Sequence, residues 1–383
     1  WSEAFAAIAR GLDGLSGNAI GAIVGDLAAV EEMAALKDLL AALGSDRIES
    51  RQDGALFATA DAGQWAFNSG LAGIEQADVV LLIGTNPRTE APLLNVRLRK
   101  GAAKGRTRVF GIGPVVDLTY PVEWLGDDAA LVAALPDHVA AALAGAERPA
   151  ITVGMGALTV PGLYEAAAGL AKAANVVRDG WNGWNLLHTA AARPGALALG
   201  LAVAGGLPAL LADDGIKALF LLGADECEVP AGRFTVYIGT HGDRGVRHAD
   251  VILPAAAYTE KPGTWVNMEG RVQRALKATQ PPGDAREDWT ILRALSSVLG
   301  VKLGYDDLAA LRARIAAEWP ALGAAGLLPR APALPDAVPA AALSGALPLA
   351  VKDHWRTNPI ARASATMAEC AAVAAPAAME AAE

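Results

Sequence analysis

The sequence predicts an α/β protein of two interleaved, doubly wound lobes with mainly parallel sheets, followed by a C-terminal extension. Three observations predict this class. Short β-branched or Leu-rich runs are continuously apolar, as expected of strands covered on both faces. Ala- and Leu-rich helical stretches alternate with these runs, as in parallel α/β sheets. The runs are too many for one small sheet, so we expect two lobes.

The chain begins with a strand–turn–helix unit that then repeats. Residues 20–24 are predicted to form a strand, and residues 28–43 a helix that Gly44 ends. The apolar run VVLLI at 79–83 predicts the next strand. The later elements are, in order, helix 92–100, strand 109–112, helix 129–143, strand 150–153, helix 165–174, and strands beginning at 176, 218, 235 and 251.

After about Gln280 the pattern changes. Asp284 and Glu287 have the spacing of a capping box, which predicts a helix running to about Leu299. Residues 320–348 are rich in Pro, Ala and Gly and predict an extended linker, and we expect the tail at 371–383 to be frayed.

Bulk composition narrows the function. The chain has 383 residues, is 53% hydrophobic and carries a net charge of −9. An acidic chain is a poor ligand for nucleic acid, which is bound mainly by Lys and Arg. The one long uncharged run, 194–212, is broken by Pro and Gly, so we expect a buried loop-and-helix segment and no membrane span. The start at Trp1 leads us to expect a segment of a longer protein.

The metal-binding residue types are few. Cys227 and Cys370 are the only cysteines, so the chain cannot hold a four-thiolate iron–sulfur cluster, and we expect both as thiols. The five histidines lack metal-ligand spacing, and we expect no metal site. His241 and His248 flank a charged loop that could do acid–base work, although a polar interface between lobes is the favoured interpretation.

Glycine-containing loops follow several predicted strands, at 84–87, 111–113, 154–156 and 223–225. Ligands of open α/β sheets bind at such strand ends, so one interpretation is a nucleotide or pterin-dinucleotide site. The other is that any doubly wound sheet needs Gly at these turns. The phosphate-loop fingerprints are absent, which favours the second interpretation.

The segment EKPGTWVNMEGRVQ at 260–273 predicts a hairpin with polar residues at a strand edge. It is either a binding loop or a buried polar network. We expect Arg271 to be partly buried and paired, with a structural role.

With ADVILP before it at 249–254, this segment resembles the molybdopterin oxidoreductase superfamily. A narrower resemblance, to the large iron–sulfur subunit of NADH:quinone oxidoreductase, rests on DVVLLIGTNPR at 78–88 and its continuation to Lys100. The segments NGWN at 182–185 and IARAS at 360–364 fit the same subfamily.

The resemblance implies a domain organisation and a lost cofactor. One lobe would comprise 1–60 and 185–300, with 61–184 as the inserted lobe and 301–383 as the extension. Catalytic members bind a metal–pterin cofactor, yet 48–53 has no Cys; Ser50 or Asp53 could substitute chemically. The subfamily is understood to have lost the cofactor, so we expect no cofactor and no catalytic residue in this chain. Candidates for a vestigial pocket are Gly84, Asn86, Pro87, Gly223, Asn267 and Arg271.

The function implied is a scaffold in the peripheral arm of respiratory complex I, on the cytoplasmic or mitochondrial matrix face of the membrane. Expected partners are the N-terminal iron–sulfur region of the same subunit, which would hold the clusters, the flavoprotein subunit and other peripheral-arm subunits. The alternative is an active oxidoreductase of the formate dehydrogenase type. A free nucleotide-binding module is a weaker third interpretation.

Overall fold

The computed structural model describes residues 1–336 and 343–374. The strands are β1 Ile20–Val24, β2 Ile48–Glu49, β3 Val79–Ile83, β4 Arg108–Ile112, β5 Glu123–Gly126, β6 Pro149–Val153, β7 Val177–Arg178, β8 Trp181–Asn182, β9 Trp184–Leu186, β10 Ala218–Leu222, β11 Phe234–Gly239, β12 Val251–Pro254, β13 Gly263–Val266, β14 Arg271–Ala275 and β15 Gly326–Leu327.

The α-helices are α1 Ser2–Leu12, α2 Val30–Ala42, α3 Ala62–Trp65, α4 Gly70–Gly73, α5 Pro87–Glu90, α6 Pro92–Ala102, α7 Asp137–Gly145, α8 Met155–Leu158, α9 Leu163–Ala173, α10 Arg193–Ala198, α11 Gly206–Ala212, α12 Asp288–Val298, α13 Leu308–Glu318, α14 Pro359–Ala363 and α15 Ala365–Ala374. None of these helices is long and apolar enough to cross a membrane.

Two five-stranded parallel sheets organise the fold. Sheet A has the order β12-β11-β10-β1-β2, and sheet B has the order β5-β4-β3-β6-β9. The central strands β1, β3, β6 and β10 are buried at every position, which explains their continuous apolar runs. The predicted fold class is confirmed. Sheet A draws its strands from 20–49 and 218–254, and sheet B draws its strands from 79–186.

Each sheet reverses its winding direction once. In sheet A the chain leaves β1 for β2 on one side, while β10 pairs with β1 on the other. In sheet B, β4 and β6 flank β3 in the same way. A crevice opens at the carboxyl ends of the strands at such a switch point, and it is the place where α/β sheets bind ligands.

The predicted helix 129–143 and the predicted capping box were wrong. Pro136 lacks a backbone N–H and cannot continue a helix from 129, so it is the N-cap of α7 and only a short 3₁₀ turn, Ala129–Val132, precedes it. Helix α12 begins at Asp288 with Glu287 as its N-cap, because the chain at Arg286 pairs with the end of β12: the Ala256 amide donates to the Arg286 carbonyl at 2.8 Å.

The C-terminal extension crosses both lobes. It adds β15 to β14 beside sheet A, and further on the Leu347 amide donates to the Asp127 carbonyl in the inserted lobe at 2.8 Å. A Cβ on Gly156 would lie 2.1 Å from the Pro348 carbonyl oxygen, so the extension lies directly against the loop after β6. The predicted tail is helical to Ala374, and 375–383 lie outside the described residues.

Candidate functional site

The predicted pocket residues fall at three places. Gly84, Asn86 and Pro87 follow β3 of sheet B, and Gly223 follows β10 of sheet A. Asn267 and Arg271 lie in the β13–β14 hairpin, where the Asn267 Oδ1 accepts from the Arg271 amide at 2.9 Å. The structure therefore does not bring the six residues together. None of the six lines the large polar cavity between the sheets, although Glu90 and Glu226, a few residues beyond the two strand-end loops, do. Gly223 lines a smaller cavity, of about 50 Å³, together with Glu32, Lys261 and Asp288.

The Arg271 side chain is exposed, and no ion pair is found for it within the described residues. The prediction of a partly buried, paired Arg271 was wrong. Alternation along β14 places Val272 inside and its neighbours outside, so the odd-numbered residues face solvent. The buried charge of this segment is Lys261 instead, which is 6% exposed.

Lys261 lies between two buried carboxylates. Its Nζ donates to the Glu32 Oε2 at 2.5 Å and to the Asp288 Oδ2. Burial and the neighbouring Asp288 charge raise the pKa of Glu32 to about 8. Burial lowers the pKa of Lys261, but the two carboxylates outweigh it and the net shift is upward. This cluster joins α2, the start of the hairpin and α12, which is a structural task.

The loop after β3 binds a carboxylate of its own chain. Glu90 accepts from the Asn86 amide at 2.7 Å and from the Thr85 hydroxyl at 2.9 Å. Burial raises the pKa of Glu90. Gly84 has a φ of +58°, and a Cβ there would lie 2.4 Å from the Ala157 nitrogen. The start of α8 therefore packs directly against this turn. The groups that could hold a ligand phosphate at this strand end are occupied internally.

The loop after β10 is occupied as well. Asp225 accepts from the amides of Asp243 and Gly245 at 2.9 and 2.7 Å. Its other oxygen accepts from Arg362 at 3.1 Å, and the Arg362 guanidinium also binds both oxygens of Glu226, at 2.7 and 2.9 Å. Arg362 belongs to α14, so the extension is anchored on the strand end at which a nucleotide would bind.

The segment after β2 offers little to a metal–pterin group. The Ser50 hydroxyl is buried and donates to the Leu201 carbonyl at 2.8 Å. Asp53 accepts from Arg193 at 2.8 Å. In the same segment, Arg51 and Glu49 form a fully buried two-point ion pair, at 2.7 and 2.6 Å. With no thiolate here, the Ser50 hydroxyl engaged and Asp53 in an ion pair with Arg193, these residues do not fit the cofactor of the catalytic relatives.

A cavity of about 600 Å³ lies between the strand ends of the two sheets. Asp26, Gln52, Asp53 and Glu226 come from the sheet A side, and Glu90 comes from the sheet B side. Residues 350–354, 356, 357 and 362 of the extension line it as well. Burial and the neighbouring Asp53 charge raise the pKa of Asp26 to about 6. No group of three or more His, Cys, Asp or Glu side chains suited to a metal ion occurs in 1–336 and 343–374.

The two cysteines are free, as expected: Cys227 is buried and Cys370 is partly exposed. Burial raises the pKa of the Cys227 thiol to about 11, so it is protonated at neutral pH. Sequence analysis missed Asp26, Gln52 and Arg193. Asp26 follows directly after the first strand and Gly25, and this position is the one signal that could have identified it.

Comparison with known proteins accounts for most of the chain. Residues 1–298 match the family model of molybdopterin oxidoreductase, and residues 324–370 match that of the C-terminal region of the NADH-ubiquinone oxidoreductase G subunit. The 78 kDa subunit of mitochondrial NADH-ubiquinone oxidoreductase from Neurospora crassa is 40% identical over 97% of this chain and 53% of its own length. The mitochondrial NADH dehydrogenase [ubiquinone] iron-sulfur protein 1 from Solanum tuberosum is 37% identical over 97% of this chain and 52% of its own length. The chain thus spans about half the length of these relatives.

Solved structures agree on the fold. Acetylene hydratase from Pelobacter acetylenicus has a TM-score of 0.60 at 14% identity and covers 79% of this chain and 59% of its own. A chain of the formyltransferase/hydrolase complex from Methylorubrum extorquens has a TM-score of 0.58 at 17% identity, and the match covers 78% of this chain and 95% of that one. The predicted resemblance is confirmed. The chain belongs to the molybdopterin oxidoreductase family, in the branch that carries the C-terminal region of the NADH-ubiquinone oxidoreductase G subunit.

Proposed function

We propose that this chain is a scaffold portion of the large iron–sulfur subunit of NADH:quinone oxidoreductase, in the peripheral arm of respiratory complex I. It carries no redox centre in this proposal. Electrons pass from NADH to quinone through the flavin and iron–sulfur clusters of other parts. The supporting observation is that the strand-end loops bind the chain's own Glu90 and Arg362.

The proposed partners are the iron–sulfur region of the same subunit, the flavoprotein subunit and other peripheral-arm subunits. The proposed place is the cytoplasmic or matrix face of the respiratory membrane. The names of the relatives support these proposals, since they are complex I subunits of mitochondria.

The rival function, an active oxidoreductase of the formate dehydrogenase type, needs a protein ligand or acid–base group near residues 48–53. Ser50 and Asp53 are the available groups; the Ser50 hydroxyl is held by the Leu201 carbonyl, and Asp53 is paired through one oxygen with Arg193. This observation favours the scaffold.

A pair of buried serines tests the proposal. Ser50→Ala removes a hydroxyl at the former cofactor position, and Ser45→Ala removes one that donates to the Ile20 carbonyl at 2.6 Å outside the cavity. Ser50→Ala loses one buried hydrogen bond, about 1 kcal/mol, and Ser45→Ala loses in addition the one that its hydroxyl accepts from the Arg47 amide at 3.2 Å. We expect both variants of the full-length subunit to leave NADH oxidation per assembled complex unchanged.

A tenfold or larger loss of turnover in Ser50→Ala alone would contradict the scaffold and favour the enzyme. Elemental analysis adds an independent readout. We expect no stoichiometric molybdenum, tungsten or iron in the purified chain, and metal together with a pterin would overturn the proposal.

A further inference from the structure

The cavity between the two sheets lies at both switch points. Asp26 follows β1 and Glu226 follows β10, the pair of strands between which sheet A reverses. Glu90 follows β3, from which sheet B reverses. The volume of the cavity, about 600 Å³, lies within the range of small-molecule sites, about 300–1,000 Å³.

The wall of the cavity formed by Asp26, Gln52 and Asp53, with Arg193 behind them, is here called the floor. Gln52 is 6% exposed; its Oε1 accepts from the Glu226 amide at 3.3 Å, and its Nε2 lies beside the Asp26 carboxylate, a contact that opposes the rise in the pKa of Asp26 without forming a well-aligned hydrogen bond. Arg193 is fully buried, and its Nε and Nη1 have no acceptor among the described residues. Unsatisfied buried donors of this kind are rare, because each costs about 1–3 kcal/mol.

The floor also holds acceptors without donors. The Oδ1 of Asp26 and the Oδ2 of Asp53 are buried and receive no hydrogen bond from the residues that the structure describes. The unpaired Arg193 donors lie behind the floor and do not line the cavity, and the Gln52 Nε2 lies beside Asp26, so the groups left for a ligand are the two carboxylate oxygens. A partner that satisfies them must offer N–H or O–H groups.

Residues 350–357, here called the lid, carry two exposed cations and one carboxylate, Asp353. Lys352 and Arg356 line the cavity and are exposed, and neither forms an ion pair with another described residue. Arg362 anchors the adjoining helix α14. The floor holds two carboxylates, and the lid adds two exposed cations together with His354 and Asp353, whose Oδ1 accepts from the Trp355 amide at 2.9 Å. Glu90 and Glu226 contribute two further carboxylates to the lining.

We propose that this cavity binds a small dipolar molecule, whose N–H-bearing end lies on Asp26 and Asp53 and whose phosphate or carboxylate end lies on Lys352 and Arg356. Such a ligand is smaller than a metal–pterin dinucleotide, whose strand-end contacts are occupied by Glu90 and Arg362. Ligand binding here goes beyond the scaffold function and is independent of it. Two sources share the chemistry, a nucleoside monophosphate and a free amino acid.

Calorimetry on the purified chain tests the proposal, with adenosine monophosphate, L-glutamine and inorganic phosphate as probes. We expect one of the two dipolar probes to bind at least about tenfold more tightly than phosphate, a difference of about 1.4 kcal/mol. The identity of the tighter probe decides between the two sources. If neither dipolar probe binds, or if phosphate binds equally well, the proposal fails.

Variants locate the binding. Lys352→Glu with Arg356→Glu reverses the lid, and Asp26→Asn keeps the shape of the floor while removing its charge. Each should weaken the bound probe at least about tenfold. The matched control, Lys104→Glu with Arg106→Glu, reverses two exposed cations of the inserted lobe that do not line the cavity, and it should change binding less than about twofold. Unchanged affinity in both site variants, or equal losses in the control, would overturn the assignment.

Discussion

Two buried polar clusters of this chain differ in how completely their polar atoms have hydrogen-bond partners. In the Lys261 cluster, one ammonium binds two carboxylates, and Glu32 also accepts from the Ala29 amide at 2.7 Å. In the floor of the cavity, one carboxylate oxygen each of Asp26 and Asp53 receives no hydrogen bond from the described chain. Buried polar groups that serve only structure are normally paired, so the difference separates a cluster that holds elements together from one that faces a ligand.

The largest effect is expected from a substitution that breaks the Lys261 cluster. Lys261→Met leaves Glu32 and Asp288 buried together without their cation, and the removal of one member of a buried ion pair costs about 3–5 kcal/mol. We expect a correspondingly lower free energy of unfolding in urea at pH 7. Lys302→Met, at an exposed lysine, should stay within about 0.5 kcal/mol of the parent. Equal stability of the two variants would show that the cluster contributes nothing.

The next effect concerns the anchor of the lid. Arg362→Gln leaves Asp225, which is fully buried, and Glu226 without their guanidinium, and we expect a loss of about 2 kcal/mol because Arg362 is partly exposed. Limited proteolysis should cut within 350–357 faster than in the parent. Arg286→Gln is a suitable control, because its ion pair with Asp284 is exposed and 3.9 Å long. A lid that is equally protected in both variants would contradict the anchoring role.

Much of the fold could be predicted from the sequence because local residue patterns determine its main strands. The strands at 20–24, 79–83 and 218–222 are apolar throughout, and parallel strands buried on both faces need that pattern. The short strands β2 and β9 were not predicted, since two or three residues carry no periodicity and their pairing is decided by neighbouring strands.

The candidate site was less predictable. Residues from six separate segments line the cavity, and their proximity depends on how the two sheets face each other and on where the extension lies. The glycine loops were correctly placed at strand ends, but no local signal showed that Glu90 and Arg362 would occupy them. Arg271 was misjudged because both faces of a hairpin strand carry polar residues, so the sequence did not indicate which face is buried.

The pH dependence of stability tests whether the floor is under electrostatic stress. The pKa of Asp26 is raised from 3.8 to about 6. The folded state therefore binds more protons between these values, and stability falls as pH rises through this window. Asp26→Asn removes the penalty, so we expect it to stabilise the chain by up to about 3 kcal/mol at pH 7.5 and by almost nothing at pH 3.5.

Asp46→Asn, at an exposed aspartate, is the control and should show no such change between the two pH values. Urea unfolding at both pH values makes the measurement. A stabilisation by Asp26→Asn that is equal at pH 3.5 and pH 7.5 would mean that the carboxylate charge is not its cause.

The smallest expected effect is at Arg271, whose side chain is exposed and has no ion pair within the described residues. The hairpin turn is held by backbone amides that donate to the Asn267 Oδ1, at 3.0 Å from Glu269 and 2.9 Å from Arg271. Arg271→Ala keeps both amides and should change the free energy of unfolding by less than about 0.5 kcal/mol. Asn267→Ala removes the acceptor of both and should cost about 1–2 kcal/mol. A thermal melt of the two variants ranks them directly. If Arg271→Ala were the more damaging change, the side chain of Arg271, and not the turn, would hold this hairpin.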